Sequence, residues 1–225
     1  MSAVGSKTWL SDISKRHAFE SKIYGYYTNP VTTISGPSKV RAAIIARGST
    51  SDARIYIESV GMIAIASRDG RVVLGRLEWR ATLGRGGVRS DKVEGDGATP
   101  RALLPLRRVL YRADRGPAPR TIVPVEPIAP SDGWCDDPAH RDYNRPVTLP
   151  HDGRHEALWR DDGVYDIVGV LGWNDAPVVR DRGSAIFLHV ARADYAPTEG
   201  CIALASPDLR ALLAAGITGL SVDPG

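Results

Sequence analysis

Short runs of β-branched and aliphatic residues recur after residue 54, and they constrain the fold more than any other feature of the chain. Residues 55–66 and 71–83 form the first two runs, and the Arg68-Asp69-Gly70 segment between them is typical of a β-hairpin turn. Gly, Pro or Asp bounds the later runs, which are Leu106–Tyr111, Tyr165–Leu171, Ala185–Val190 and Ile217–Val222. The pattern predicts a mainly β domain.

One helix is indicated near the C-terminus. Ser206 is suited to the N-cap, Pro207 to the first helical position and Gly216 to the end of the helix. Its apolar face is formed by Leu209, Leu212 and Leu213. We therefore expect one or two short helices in the otherwise β-rich fold.

The middle of the chain is expected to be mostly loop. Residues 112–163 contain eight of the sixteen prolines, together with many Asp, Arg and Gly residues, which favour turns over regular elements. A loop region of this length inside a compact domain usually builds a site or a lid. We expect a long loop excursion that contributes to the functional site.

The first 54 residues differ from the rest in charge and pattern. Residues 1–60 hold eight Lys/Arg against four Asp/Glu, whereas residues 61–225 hold 21 against 22. The sequence pI of about 8.9 therefore reflects the leading segment and gives no indication of a nucleic-acid groove on the folded domain. We interpret residues 1–54 as a weakly ordered extension or a displaced start, and residues 55–225 as one folded domain.

Membrane and export signals are not visible in the sequence. The longest apolar stretch is about seven residues, from Val60 to Ala66, whereas a membrane-spanning helix needs roughly 20. The first 30 residues contain no apolar core followed by a small-residue cleavage site, so we read no secretory signal there. We expect no membrane span.

A histidine and a cysteine suited to covalent catalysis follow each other in residues 183–204. An apolar strand candidate contains His189, and eleven residues later Gly200 precedes Cys201. Because a thiolate is the reactive form of cysteine, we expect a neighbouring imidazolium or backbone dipoles to stabilise the anion. Gly200 can let the chain turn sharply, and the Cys201 or Gly200 amide can hold an oxyanion. On spacing alone, an inert buried cysteine and a structural histidine remain open.

Three stretches of the chain carry a resemblance to a known family. They are Glu94 to Pro100 followed by Pro105 to Tyr111, then Gly133-Trp134-Cys135-Asp136-Asp137-Pro138 with Tyr143 to Pro146, and Gly183 to Leu204. In these stretches, residues from about 70 to 222 resemble the catalytic domain of the L,D-transpeptidases, the YkuD family of peptidoglycan enzymes, in its compact proteobacterial branch. The resemblance implies a β-sandwich-like fold with a long loop excursion.

The resemblance also implies an activity and its residues. Cys201 corresponds to the family's nucleophile and His189 to its catalytic histidine, held by the carbonyl of Val190. A stem peptide of peptidoglycan would acylate Cys201 as a thioester, and the amine of a second stem peptide would complete a cross-link, or water would complete a carboxypeptidase reaction. Neither a metal nor an organic cofactor is implied, and the expected location is the periplasm or cell envelope.

Some positions depart from the family pattern. The segment Thr198-Glu199-Gly200-Cys201 has Glu199 where many members have a second histidine, and Ala203 replaces a side chain that often contacts substrate carboxylate. We expect Thr198, Glu199, Tyr195 and Asn174 to contribute to substrate binding. Glu199 is suited to holding an acceptor amine.

The sequence leaves two other classes of protein open. Cys135, His140, His151 and His155 lie close in sequence, and His151-x-x-x-His155 has the spacing of a zinc pair, as in a zinc-dependent hydrolase. The nearby prolines and the Asp152-Gly153 turn argue against a helical ligand pair, so we expect solvated loop histidines, no metal ligands, and both cysteines reduced. A non-catalytic peptidoglycan-binding module is the other alternative, against which the retained Cys201, His189 and Gly200 argue.

Overall fold

The computed structural model describes residues 43–44, 55–56 and 62–224, and the chain divides into two units, residues 1–60 and 61–225. In the first unit, β1 (Ala43–Ile44) pairs with β2 (Ile55–Tyr56) in antiparallel register. The expected weakly ordered extension over residues 1–54 falls largely outside the described residues and stays a prediction. No helix of the described part is long and apolar enough to cross a bilayer.

The predicted hairpin is confirmed, but its second run is two strands. β3 (Met62–Ser67) turns at residues 68–70 into β4 (Arg71–Leu74), and β5 (Leu77–Thr82) then pairs back onto β4. Gly75, at φ 63°, allows the second tight turn. A single strand over residues 71–83 is therefore wrong, because the glycine interrupts the run.

A nine-stranded sheet forms the body of the second unit. Besides β3, β4 and β5, its members are β8 (Leu103–Tyr111), β9 (Val125–Pro127), β13 (Ile167–Leu171), β14 (Phe187–Val190), β15 (Ile202–Leu204) and β16 (Ile217–Val222). The strand order is β13-β14-β15-β5-β4-β3-β16-β8-β9, and β13 also pairs with β8. The expected mainly β fold is confirmed.

The helix α1 (Ser206–Ala214) packs beside β14, β15 and β16. Leu209, Leu212 and Leu213 are fully buried in the main core, as the pattern predicts. Ser206 is not the N-cap, however, because Ala205 takes that position with an extended backbone and no side-chain cap, and Ser206 begins the helix. Gly216, at φ 83°, ends it by donating its amide to the Leu213 carbonyl.

The excursion between β8 and β13 is more regular than expected. Besides β9, it contains β10 (Asp132–Cys135), β11 (Arg145–Thr148) and β12 (His155–Ala157), which form an antiparallel sheet in the order β11-β10-β12. These strands carry Asp, Gly, Pro and charged residues, so their sequences resemble loops. Pro146 is tolerated because β11 is an edge strand.

Two hydrophobic clusters fill the described domain. The larger one lies among the strands of the main sheet and α1 and includes Leu188, Ile202 and Leu209. The smaller one joins the excursion to β13 and β14, where the rings of Trp134 and Tyr165 meet Phe187 edge-on at centroid distances of 5.2 and 5.9 Å. Cys201 belongs to this smaller cluster, and Tyr165 of the same cluster contacts His189. Two short strands complete the described fold, β6 (Val88–Arg89) and β7 (Thr99–Pro100).

Candidate active site

Two parallel strands bring His189 and Cys201 to the same side of the sheet. In the register of β14 and β15, Leu188 lies opposite Ile202 and His189 opposite Ala203. Because side chains alternate along strands and Leu188 and Ile202 enter the main core, His189 and Cys201 face the other way. Both line one cleft of about 350 Å³.

The imidazole of His189 is held in one orientation. Its Nδ1 lies 2.9 Å from the Val190 carbonyl oxygen, which can only accept, so Nδ1 carries the proton. Nε2 is then the basic nitrogen. The ring of Tyr165 meets the imidazole edge-on, with 5.4 Å between the ring centroids. The Tyr165 hydroxyl donates to Glu156 Oε1 at 2.6 Å.

The Cys201 thiol is free and hydrogen-bonded to backbone on both sides. Its Sγ accepts from the Phe187 amide at 3.3 Å and donates to the Ala185 carbonyl at 3.3 Å. Cys135 is also a free thiol, so no disulfide joins the two described cysteines. The sulfur therefore remains available for chemistry.

Burial keeps the resting thiol and imidazole neutral. Burial raises the pKa of Cys201 to about 12, with Glu156 adding to the rise and the Phe187 amide opposing it. Burial also lowers the pKa of His189 to about 4, against a smaller opposing effect of the Val190 carbonyl. These pKa shifts do not favour a resting thiolate paired with an imidazolium, and of the two expected stabilisers of the anion the backbone dipole is present, as the Phe187 amide. The thiol must lose its proton as it attacks.

The buried imidazole predicts an acid-sensitive fold. Unfolded His189 takes up a proton near its ordinary pKa of 6.5, whereas the folded form resists protonation down to about 4. Between these values the unfolded state binds more protons than the folded state. The free energy of unfolding therefore decreases as the pH is lowered, by about 3 kcal/mol between pH 6.5 and pH 4. Urea unfolding at pH 7.5 and 4.5 should show this loss for the wild type and a smaller loss for His189→Gln. Equal losses in both proteins would contradict the assignment.

The backbone at Cys201 is fixed by a glycine and two threonines. Gly200 has φ 129°, and a Cβ there would lie 2.7 Å from the Ala98 carbonyl oxygen. The Thr198 hydroxyl donates to the Cys201 carbonyl at 2.7 Å and accepts from the Gly200 amide at 3.1 Å. Thr99 donates a longer bond, 3.4 Å, to the same carbonyl. Because the Gly200 amide is already used, the Cys201 amide is the better of the two expected oxyanion donors.

The residues expected to bind substrate lie in different places. Thr198 and Glu199 line the cleft, and the largely exposed Glu199 carboxylate pairs with Arg85 at 2.7 Å. Tyr195 and Asn174 are not among the cleft-lining residues. Tyr195 lies against the Arg80 guanidinium, 4.0 Å from the ring centroid, and Asn174 uses its side-chain amide within its own loop, on Val179 and Gly183. Their positions do not favour direct contact with a substrate in the cleft.

Sequence reasoning missed several polar residues of the cleft. Glu94 lines the cleft and accepts from Ser184 at 2.8 Å and from Tyr143 at 2.5 Å. Glu156 and Arg160 line it from the excursion side, and burial raises the pKa of Glu156. Glu94 and Tyr143 do lie in stretches that carry the family resemblance, whereas no local pattern marks Glu156, since folding of the excursion places it there.

Two histidines of the excursion, His140 and His151, are more buried than the expected solvated loop histidines. The ligand atoms of Cys135, His140 and His151 all lie within 4.8 Å of one another, and the His140 and His151 side chains are only 18% and 10% exposed. His155 instead bonds to the Gly153 carbonyl at 2.8 Å. None of these residues lines the cleft, so their position does not support a zinc-dependent hydrolase acting there.

The sequence of the chain also matches the model of a known protein family. The sequence model of YkuD, the L,D-transpeptidase catalytic domain, matches residues 59–222. No curated protein and no solved structure gives a significant match. The matched residues include the whole nine-stranded sheet, both cysteines and His189.

Proposed function

Because the chain belongs to the YkuD family of L,D-transpeptidase catalytic domains, we propose that it cross-links peptidoglycan stem peptides through a thioester on Cys201. The observation that carries the proposal is the shared face of His189 and Cys201 above one cleft. The free thiol and the bond from His189 Nδ1 to the Val190 carbonyl support it. The proposed location is the cell envelope, where this substrate is found.

In the proposed acylation, Cys201 Sγ attacks the carbonyl carbon between the L- and D-centres of the donor stem peptide. His189 Nε2 takes the thiol proton as the carbon–sulfur bond forms, because the resting thiol is neutral. The tetrahedral intermediate places its negative oxygen near the Cys201 amide. Its collapse breaks the carbon–nitrogen bond, and the released D-amino acid takes the proton from His189.

In the proposed second half-reaction, an acceptor amine attacks the thioester. His189 takes a proton from the amine and returns it to the departing Cys201 sulfur, which restores the free enzyme. Glu199 lines the cleft with an exposed carboxylate suited to holding a cationic acceptor side chain. Arg160 and Arg192, which also line the cleft, are suited to stem-peptide carboxylates.

A carboxypeptidase on the same substrate is the second candidate, in which water replaces the acceptor amine. The polar lining of the cleft, with Glu94, Glu156, Arg160 and Glu199, is compatible with entry of water. The two reactions share the acyl-enzyme and differ only in the group that resolves it. A product assay therefore separates them.

The proposal is tested by incubating the protein with purified sacculi, digesting the sacculi to muropeptides and separating the products by size. Wild-type protein should convert stem-peptide monomers into new dimers, whereas Cys201→Ala and Cys201→Ser should give no product although their urea unfolding midpoints resemble the wild type. Shortened monomers without dimers would instead identify the carboxypeptidase. Binding to sacculi with no change in any muropeptide would contradict both enzymes and favour a binding module.

A further inference from the structure

A second cluster of reactive side chains lies in the excursion, outside the cleft. Cys135 ends strand β10, His140 follows in the next turn, and His151 lies on the loop that leads to β12. One ligand atom from each lies within 4.8 Å of the other two. Three segments that are separated in sequence thus meet at one point.

The surroundings of Cys135 differ from those of a cysteine packed in a hydrophobic core. Its side chain is buried, yet it belongs to neither of the two hydrophobic clusters of the described domain. The His140 and His151 imidazoles lie near its thiol, and the Asp137 backbone hydrogen-bonds to it. A buried thiol among nitrogen ligands has the chemistry of a site for a borderline-soft divalent cation.

The loop is shaped to hold the two imidazoles together. The rings of His140 and His151 meet edge-on with centroids 4.5 Å apart. A Cβ on Gly153 would lie 2.9 Å from the His140 ring and 3.0 Å from the His151 ring, so only glycine fits against the pair. Backbone amides hold both rings, because the Gly153 amide donates to His151 Nδ1 at 3.1 Å and the Asp142 amide donates to His140 Nδ1 at 3.1 Å.

A carboxylate lies beside the two imidazoles and is the candidate for a fourth ligand. Asp152 Oδ1 lies 3.1 Å from His140 Nε2 and 3.9 Å from His151 Nε2. Typical zinc bond lengths place tetrahedral ligand atoms roughly 3.4–3.6 Å apart, so the ligand atoms of Cys135, His140 and His151 would have to approach one another by about 1 Å. Asp142 Oδ2 lies 3.4 Å from His151 Nε2, so a second carboxylate is close to this ring.

We propose that Cys135, His140, His151 and Asp152 bind one structural Zn²⁺ that clips the excursion together, apart from the reaction in the cleft. On binding, the Cys135 thiol gives its proton to solvent and forms a zinc–sulfur bond, while both imidazoles stay neutral. The clip joins the end of β10 to the loop before β12. Trp134 and Glu156 on these two strands reach the smaller hydrophobic cluster and the cleft, so the metal would stiffen the wall of the cleft.

Cobalt binding to the full chain tests the site independently of enzyme activity. Metal-free wild-type protein titrated with Co²⁺ should bind one equivalent and develop a thiolate-to-cobalt absorption band that Zn²⁺ then abolishes. The matched controls, His155→Gln in the same loop and Cys201→Ala with the other thiol removed, should keep the band. His140→Gln and Cys135→Ser should lose it, with at least about tenfold weaker binding.

A second readout guards against misfolding of Cys135→Ser, whose side chain is buried. Zinc should raise the melting temperature of the wild type and of His155→Gln, but not of His151→Gln. Absence of saturable binding in the wild type, a band that survives Cys135→Ser, or a band lost with Cys201→Ala would each overturn the proposal.

Discussion

Replacing His189 with glutamine is expected to slow acylation of Cys201 by about 10²–10⁴-fold at neutral pH. The reason is the neutral resting pair: burial raises the pKa of the Cys201 thiol to about 12, so very little thiolate exists without a base. His189 Nε2 is the base on the same face of the sheet, oriented through the Val190 carbonyl. Glutamine keeps a polar side chain of similar length but cannot accept a proton near neutral pH.

Single-turnover acylation followed by intact-mass spectrometry measures this effect across pH. For the wild type, the rate should stay level through neutral pH and fall as the pH approaches about 4, where buried His189 gains a proton. The variant should instead accelerate with rising pH, as hydroxide replaces the missing base. His155→Gln, which changes a histidine outside the cleft, should behave like the wild type. A His189→Gln rate within tenfold of the wild type at pH 7 would contradict the role of this base.

Replacing Gly200 with alanine is expected to destabilise the fold by about 2–5 kcal/mol and to abolish most of the activity. The new Cβ would meet the Ala98 carbonyl oxygen at 2.7 Å, and φ 129° is a conformation that alanine rarely adopts. Relief of the clash or of the unfavourable φ would move the backbone that carries Cys201. Displacing the sulfur by even about 1 Å is enough to lose a large part of the rate.

Gly75→Ala is the matched control for that substitution. Gly75 also has positive φ, 63°, but a Cβ there would have no heavy atom within 4 Å. We expect it to cost only about 1 kcal/mol and to leave acylation unchanged. Urea unfolding and acylation rates are measured for both variants. Gly75→Ala introduces backbone strain alone, whereas Gly200→Ala introduces backbone strain and a clash at the active site. Equal effects of the two substitutions would mean that the contact with Ala98 is unimportant.

The parts of the fold that depend on local sequence patterns were predictable. The β3–β4 hairpin, the strand that carries His189 and the buried leucines of α1 all follow from alternation, turn residues and helical spacing. The excursion was not, because β10, β11 and β12 are short and are stabilised by pairing with each other and by contact with Phe187. Their residues have little β preference of their own.

The candidate site was predictable in its residue types but not in its charge state. Spacing and family resemblance singled out His189, Gly200 and Cys201, whereas burial, which makes both the thiol and imidazole neutral, depends on the whole fold. The placement of Glu156 also depends on the excursion folding back over the cleft. Likewise, spacing drew attention to His151 and His155, whose rings meet at 5.9 Å, whereas only the folded excursion brings His140 to His151 at 4.5 Å.

The most direct test of the central claim is to locate the covalent bond. Incubation with a carbapenem, an acylating agent expected from the family resemblance, or with a donor tetrapeptide, is followed by intact-mass and peptide-mapping spectrometry. We predict a single adduct on Cys201 that is absent from Cys201→Ala. An adduct on Cys135, or one that persists in Cys201→Ala, would contradict the account.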